Sequence, residues 1–140
     1  MKAKLSLLAA GCGLLLAAVP AMAHHSFAAE FDNNKPVTLK GTVTKIDWMN
    51  PHIWVYLDVK DDSGQMAHWQ CEGGPPNSLT RNGWTKDALK IGDQVTVEGF
   101  KAKDGTNTCN SRSVKLPDGR SVFAGSADDG GPGRRSGGAQ

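Results

Sequence analysis

From residue 37 to residue 59 the apolar side chains fall on alternate positions, a period of two that admits strands and excludes an amphipathic helix. Val37, Leu39, Gly41 and Val43 share one face, with Thr38, Lys40, Thr42 and Thr44 on the other. The phase then slips to Ile46 and Trp48. A slip near Lys45, with Gly41 just upstream, predicts a long first strand that bends through a bulge. Ile53, Val55, Leu57 and Val59 define a second strand, and Ala67, Trp69 and Cys71 the inward face of a third.

The DDSG turn between the second and third strands fixes their register. With Asp62, Ser63 and Gly64 as a three-residue loop and Gly64 left-handed, Asp61 faces Gln65. Asp58 then lies opposite His68, Tyr56 opposite Gln70 and Trp54 opposite Glu72, all on the outward face, and His52 extends the row. After the third strand, GGPPNSLTRNGW reads as one short helix, with Pro75 or Pro76 in its first turn and Gly83 closing it. LKIGDQVTVEG supplies a turn at Gly92 and Asp93 and a fourth strand with Val95 and Val97 inward. KDGTN leads into a fifth strand over residues 108 to 116, and LPDGRSVF gives one more turn with a short closing strand. The expected class is all-β: a single small five-stranded OB-like barrel with one short helix between strands 3 and 4. A small sandwich with an irregular connection is the alternative.

At the N-terminus, Lys2 and Lys4 precede an apolar run from Leu5 to Val19, and Pro20 is followed by Ala21-Met22-Ala23. This is the three-part pattern of a signal peptide, residues 1–23, cut after Ala23. A membrane anchor needs roughly 20 apolar residues, more than this run holds. Lipoprotein processing at Cys12 would leave the apolar stretch from Leu14 to Val19 at the front of the mature chain. The expected location is therefore periplasmic or secreted, with no membrane span in the mature chain. Removing Lys2 and Lys4 from the 16 basic residues leaves them equal in number to the 14 acidic ones. A near-neutral exported chain lacks the basic stripe of a nucleic-acid binder, so no nucleic-acid partner is expected. Residues 24–36 read as an N-terminal segment, 37–125 as the barrel, and 126–140 as a disordered Gly-rich tail.

A resemblance joins these pieces. HHSFAAEFD at 24–32, VTLKGTVTKIDWMNPHIWVYLDV at 37–59, GWTKDALKIGDQVTVEG at 83–99 and AKDGTN at 102–107 together resemble a family of short exported bacterial proteins catalogued only as a domain of unknown function. The resemblance spans nearly the whole mature chain and implies export and one small all-β domain. It brings no activity and no catalytic residues.

Cys71 and Cys109 are the two mature thiols, and an oxidising compartment is the bare condition for a bridge. Two readings stand: a disulfide, or two separate buried cysteines acting as small apolar residues. In an OB barrel the third and fifth strands run parallel, and these residues sit late in one and early in the other.

The four histidines are the chemical lead. Cleavage after Ala23 gives His24 a free α-amino group beside its imidazole. A third nitrogen from His25, His52 or His68 would complete the arrangement Cu(II) favours, against the plain reading of a loose, solvated terminus. Phe27 and Phe31 are placed to pin that end to the barrel. The second constellation is the outward row His52, Trp54, Tyr56, His68, Gln70 and Glu72, a candidate binding face for a small molecule, a glycan or a peptide. Its plain reading is that Trp54 and Tyr56 are good strand formers covered by the N-terminal segment. Asp58 beside His68 suits a general base, but Ser63 sits in a turn, no G-x-S-x-G occurs, and Cys71 faces inward. No enzyme is expected, and a cross-strand Asp58–His68 pair on a wet surface accounts for the carboxylate.

Overall fold

A computed structural model describes residues 27–125. The leader 1–23, the histidines His24 and His25, and the tail 126–140 lie outside the described residues. The elements in chain order are α1 (Phe27–Glu30), β1 (Phe31–Asp47), β2 (Trp54–Lys60), β3 (Met66–Glu72), α2 (Pro76–Arg81), β4 (Gln94–Ala102), β5 (Thr108–Lys115) and β6 (Ser121–Phe123), with a 3-10 turn at Lys86–Ala88.

One mostly antiparallel sheet holds all six strands in the order β3-β2-β1-β4-β5-β6, and a further pairing joins β3 to β5. That last pairing is parallel and only three residue pairs long, Gln70 with Thr108, Cys71 with Cys109 and Glu72 with Asn110. The β1–β4 ladder has eight. The sheet therefore curls back on itself and closes at one end of β3 only. β6 is the short closing strand expected after the LPDG turn; it joins the five barrel strands because Val122 has an apolar partner, Val114, on β5.

The alternating sequence produces its register. The pairing of β1 with β2 shifts between Val43 and Lys45, the bulge that the phase slip requires. In the β2–β3 turn, Gly64 has φ +81° and the Gly64 N–H donates to Asp61 O. The β2–β3 pairs are Trp54 with Glu72, Tyr56 with Gln70 and Asp58 with His68. Gly99 marks a second irregularity, between β4 and β5. A Cβ there would stand 2.0 Å from the Asn110 carbonyl oxygen, so only glycine lets the strands approach.

Inward positions form one core. Val43, Ile53, Val55, Leu57, Val97 and Val114 are at most 1% exposed. Pro75 caps α2 and Pro76 opens it, which drives Leu79 into the same core. Trp84 follows, packed edge-on against Trp48 at 6.1 Å. Cys71 and Cys109 are fully buried and their sulfurs are bonded to each other. The parallel register makes them direct neighbours, since β5 begins beside the end of β3.

The first strand starts at Phe31, well before Val37, so the boundary expected at residue 37 does not separate two units. The reason is a second, smaller core on the outer side of the sheet. Phe27 and Phe31 bury against Ala102 and Phe100, and Phe27 meets Phe31 and Phe100 at 5.7 Å each. The Arg112 guanidinium lies over both Phe27 and Phe100, at 5.2 and 5.8 Å. Backbone ties complete the docking: Lys103 N–H donates to Glu30 O at 2.8 Å, and Lys103 Nζ to Ala28 O at 2.6 Å.

Candidate functional site

Because Val55, Leu57, Val59, Trp69 and Cys71 fill the core, their alternates on β2 and β3 must face outward. This puts Trp54, Tyr56, Gln70, His68 and Glu72 on one surface. Two adjoining hollows lie along it. The larger, about 410 Å³, is walled by α1 through Ala29 and Glu30, by Trp54 and Gln70, and by Asp104, Thr106 and Thr108. The smaller, about 250 Å³, runs on past Tyr56, His68 and Asn107. Gln70, Thr106 and Thr108 belong to both, so the two form one groove.

Hydrogen bonds fix its floor. Gln70 Nε2 donates to Thr108 Oγ1 at 3.0 Å, and the Thr108 hydroxyl donates to the Thr106 oxygen at 2.9 Å. Asp104 holds Thr106 through both its amide and its hydroxyl, at 2.9 and 2.7 Å. Those bonds keep the Asp104 carboxyl below its ordinary value.

Tyr56 is less open than its place in the row suggests. Its hydroxyl donates to Asp47 Oδ2 at 3.1 Å, and Lys45 Nζ sits 4.7 Å from its ring centroid. Burial, followed by the bond to Asp47, raises the phenol. The ring is thus committed to β1 and offers the groove only part of its surface. Trp54 is the stacking surface that remains.

At the far end of the row His52 Nδ1 bonds Glu72 Oε1. Glu72 is largely buried, and burial is the main reason its carboxyl is raised above 4.5. The His52 bond and charge oppose that, Glu30 adds to it, and a hydrogen bond from Asn110 opposes it again. Asn110 is 5% exposed, and its Oδ1 has no partner among the described residues. His68 Nδ1 lies 2.6 Å from Asp58 Oδ1, with the imidazole 82% exposed. The pair is a solvated rim feature. Ser63 Oγ donates to Asp61 Oδ1 within its own turn at 2.6 Å, far from either histidine along the strands.

The expected histidine set is split. Glu72, which His52 bonds, is four positions from His68 along β3, a separation of about 13 Å at strand rise. One ion can take one of these histidines and not both. Among the described residues no group of three or more His, Cys, Asp or Glu side chains could hold a metal.

Sequence reasoning missed Glu30, Asp104, Thr106, Thr108 and Asn110. AKDGTN, with a threonine and an acid in one tight turn, was the available signal; its position beside β3 follows only from the β3–β5 closure.

A family of unknown function (DUF6152) matches residues 11–111. The chain belongs to that family. No curated protein matches it. Among solved structures, the mitochondrial single-stranded DNA binding protein of S. cerevisiae is similar over 59% of this family member and 92% of its own chain, with 11% identity and a TM-score of 0.46. No helix among the described residues is long and apolar enough to cross a membrane.

Proposed function

We propose that this family member is an exported OB-like binding module whose ligand lies in the groove between Trp54 and the Asp104–Thr108 turn. The OB-like reading is supported by the circuit β1-β2-β3-β5-β4 and by the helix between the third and fourth strands. The groove itself carries the functional reading. Its larger hollow falls within the ~300–1,000 Å³ range of small-ligand sites. Its lining of an indole, a primary amide and two hydroxyls suits a neutral, hydroxyl-rich ligand such as a short glycan. Glu30 and Asp104 line it, and among the described residues no lysine or arginine does, which disfavours a phosphate backbone.

Titration with a panel of neutral oligosaccharides, followed by tryptophan fluorescence and NMR, tests the reading. The expected result is a saturable change at Trp54 that Trp54→Ala abolishes while the melting temperature stays within a few degrees. A panel that leaves Trp54 unperturbed overturns it.

A copper-type site is the second reading, and its own observation favours it. His52 has Nδ1 held by a buried carboxylate that is itself hydrogen-bonded, the outer-shell arrangement that leaves Nε2 for a metal. The remaining nitrogens would come from His24 and His25. Copper calorimetry on chain beginning at His24, compared with chain carrying one extra residue before it, is the test. A tight isotherm lost on extension and in His52→Ala supports the site, whereas an isotherm unchanged by either removes it.

A further inference from the structure

Away from the groove, Lys40 on β1, Thr96 on β4 and Lys115 on β5 form a row across three adjacent strands. Lys40 is the register partner of Thr96, and Thr96 of Lys115. Their chain neighbours Leu39, Val95, Val97, Val114 and Leu116 are buried, so all three side chains point outward. The turn after β5 stands beside the row. With Gln94, Pro117 and Gly119 it completes a hollow of about 440 Å³.

The charge in this hollow is uncompensated. Among the described residues no carboxylate lines it. Asp118, in the same turn, is bonded to Arg120 Nε at 2.7 Å, and Glu98, the next outward residue on β4, accepts from Ser113 Oγ at 2.8 Å. Among the described residues neither Lys40 nor Lys115 has an ion-pair partner. Cross-strand neighbours stand about 5 Å apart at Cβ, so the two lysines start about 10 Å apart with a hydroxyl midway. Each side chain is long enough to lean inward and place its ammonium over Thr96. Two like charges at that spacing repel, and an anion seated between them turns the repulsion into two charge-assisted bonds plus one from Thr96.

We propose that this hollow is a subsite for a tetrahedral oxyanion, a phosphate or sulfate group, gripped by Lys40 and Lys115 with Thr96 Oγ1 donating between them. It is independent of the groove, with which it shares no lining residue.

The test is an NMR titration of the purified chain with inorganic phosphate, against sodium chloride at matched ionic strength. Phosphate is expected to shift the Thr96 and Lys115 amides saturably while chloride does not. Lys40→Gln with Lys115→Gln should weaken phosphate at least tenfold at unchanged melting temperature, and Lys86→Gln with Lys90→Gln should leave the isotherm as it was. A parallel sedimentation with phosphatidylglycerol vesicles identifies the source. Pelleting that the Lys40/Lys115 pair of substitutions abolishes assigns a lipid headgroup, and no pelleting with the phosphate isotherm intact assigns a soluble ester or free ion. Chloride shifts equal to those of phosphate, or a Lys40/Lys115 variant that titrates like the parent chain, overturn the proposal.

Discussion

Glu72 concentrates the tension in this molecule at one side chain. It is held by His52 and Asn110, yet burial dominates and keeps its carboxyl above 4.5. A group whose folded value is raised stabilises fully below its unfolded value, and that contribution is lost as pH rises through the folded one. The melting temperature of the parent chain should therefore fall relative to Glu72→Gln as pH climbs upward from 4.5. Asp47 gives the opposite sign. Its hydrogen bond from Lys45, then that from Tyr56, lower its carboxyl below 3.8, so its contribution is present above that pH and fades as acid is added. Melting curves of Glu72→Gln and Asp47→Asn across the acid range check the two slopes. If Glu72→Gln runs parallel to the parent chain throughout, burial is not what governs this carboxyl.

Among the elements, α1 has the most conspicuous role for its size. Its Ala29 and Glu30 wall the larger hollow while Phe27, 2% exposed, anchors the helix on Phe100 and Arg112. Phe27→Ala is expected to cost about 3 kcal/mol, the lower end for a buried phenylalanine, because its site is a satellite of the main core. Native-state hydrogen exchange locates that loss. The Lys103 amide, bonded to Glu30 O, should exchange far faster in the variant, while the amide of Val97 in the main core changes little. Equal acceleration at both would show that α1 is part of the global fold and not a separately docked segment.

The elements also show what could be read from the chain beforehand. The pairing of β2 with β3 was legible residue by residue, because a left-handed Gly64 sets a register that local alternation then propagates. The bulge at residue 44 was legible for the same reason. The start of β1 was not: DNNKPV has no alternation, and its strand conformation comes from Phe31 and Pro36 pairing with β4, about seventy residues away in sequence. The candidate face was half legible. Its β2–β3 side follows from the hairpin, whereas Thr106 and Thr108 arrive through a parallel contact between distant strands that no local pattern announces.

At the scale of the whole molecule, the bond between Cys71 and Cys109 closes the curled sheet across its three-pair parallel ladder. The loop it closes spans 38 residues, which in the chain-entropy account is worth about 4 kcal/mol. Cys71→Ser with Cys109→Ser should lose stability on that order in urea unfolding, and the parent chain under reductant should match it. Loss of less than about 1 kcal/mol would mean that the β3–β5 contact holds without its covalent link.

The same bond sets how the protein responds to pulling. Once the strands have separated, tension between the two ends passes from residue 71 to residue 109 through sulfur, so the backbone of α2 and β4 is not stretched. A fully stretched chain would come up short by the bypassed span, about 130 Å at the extended length per residue. Reductant would return that length. The protein is, in mechanical terms, two tethers joined to a protected ring.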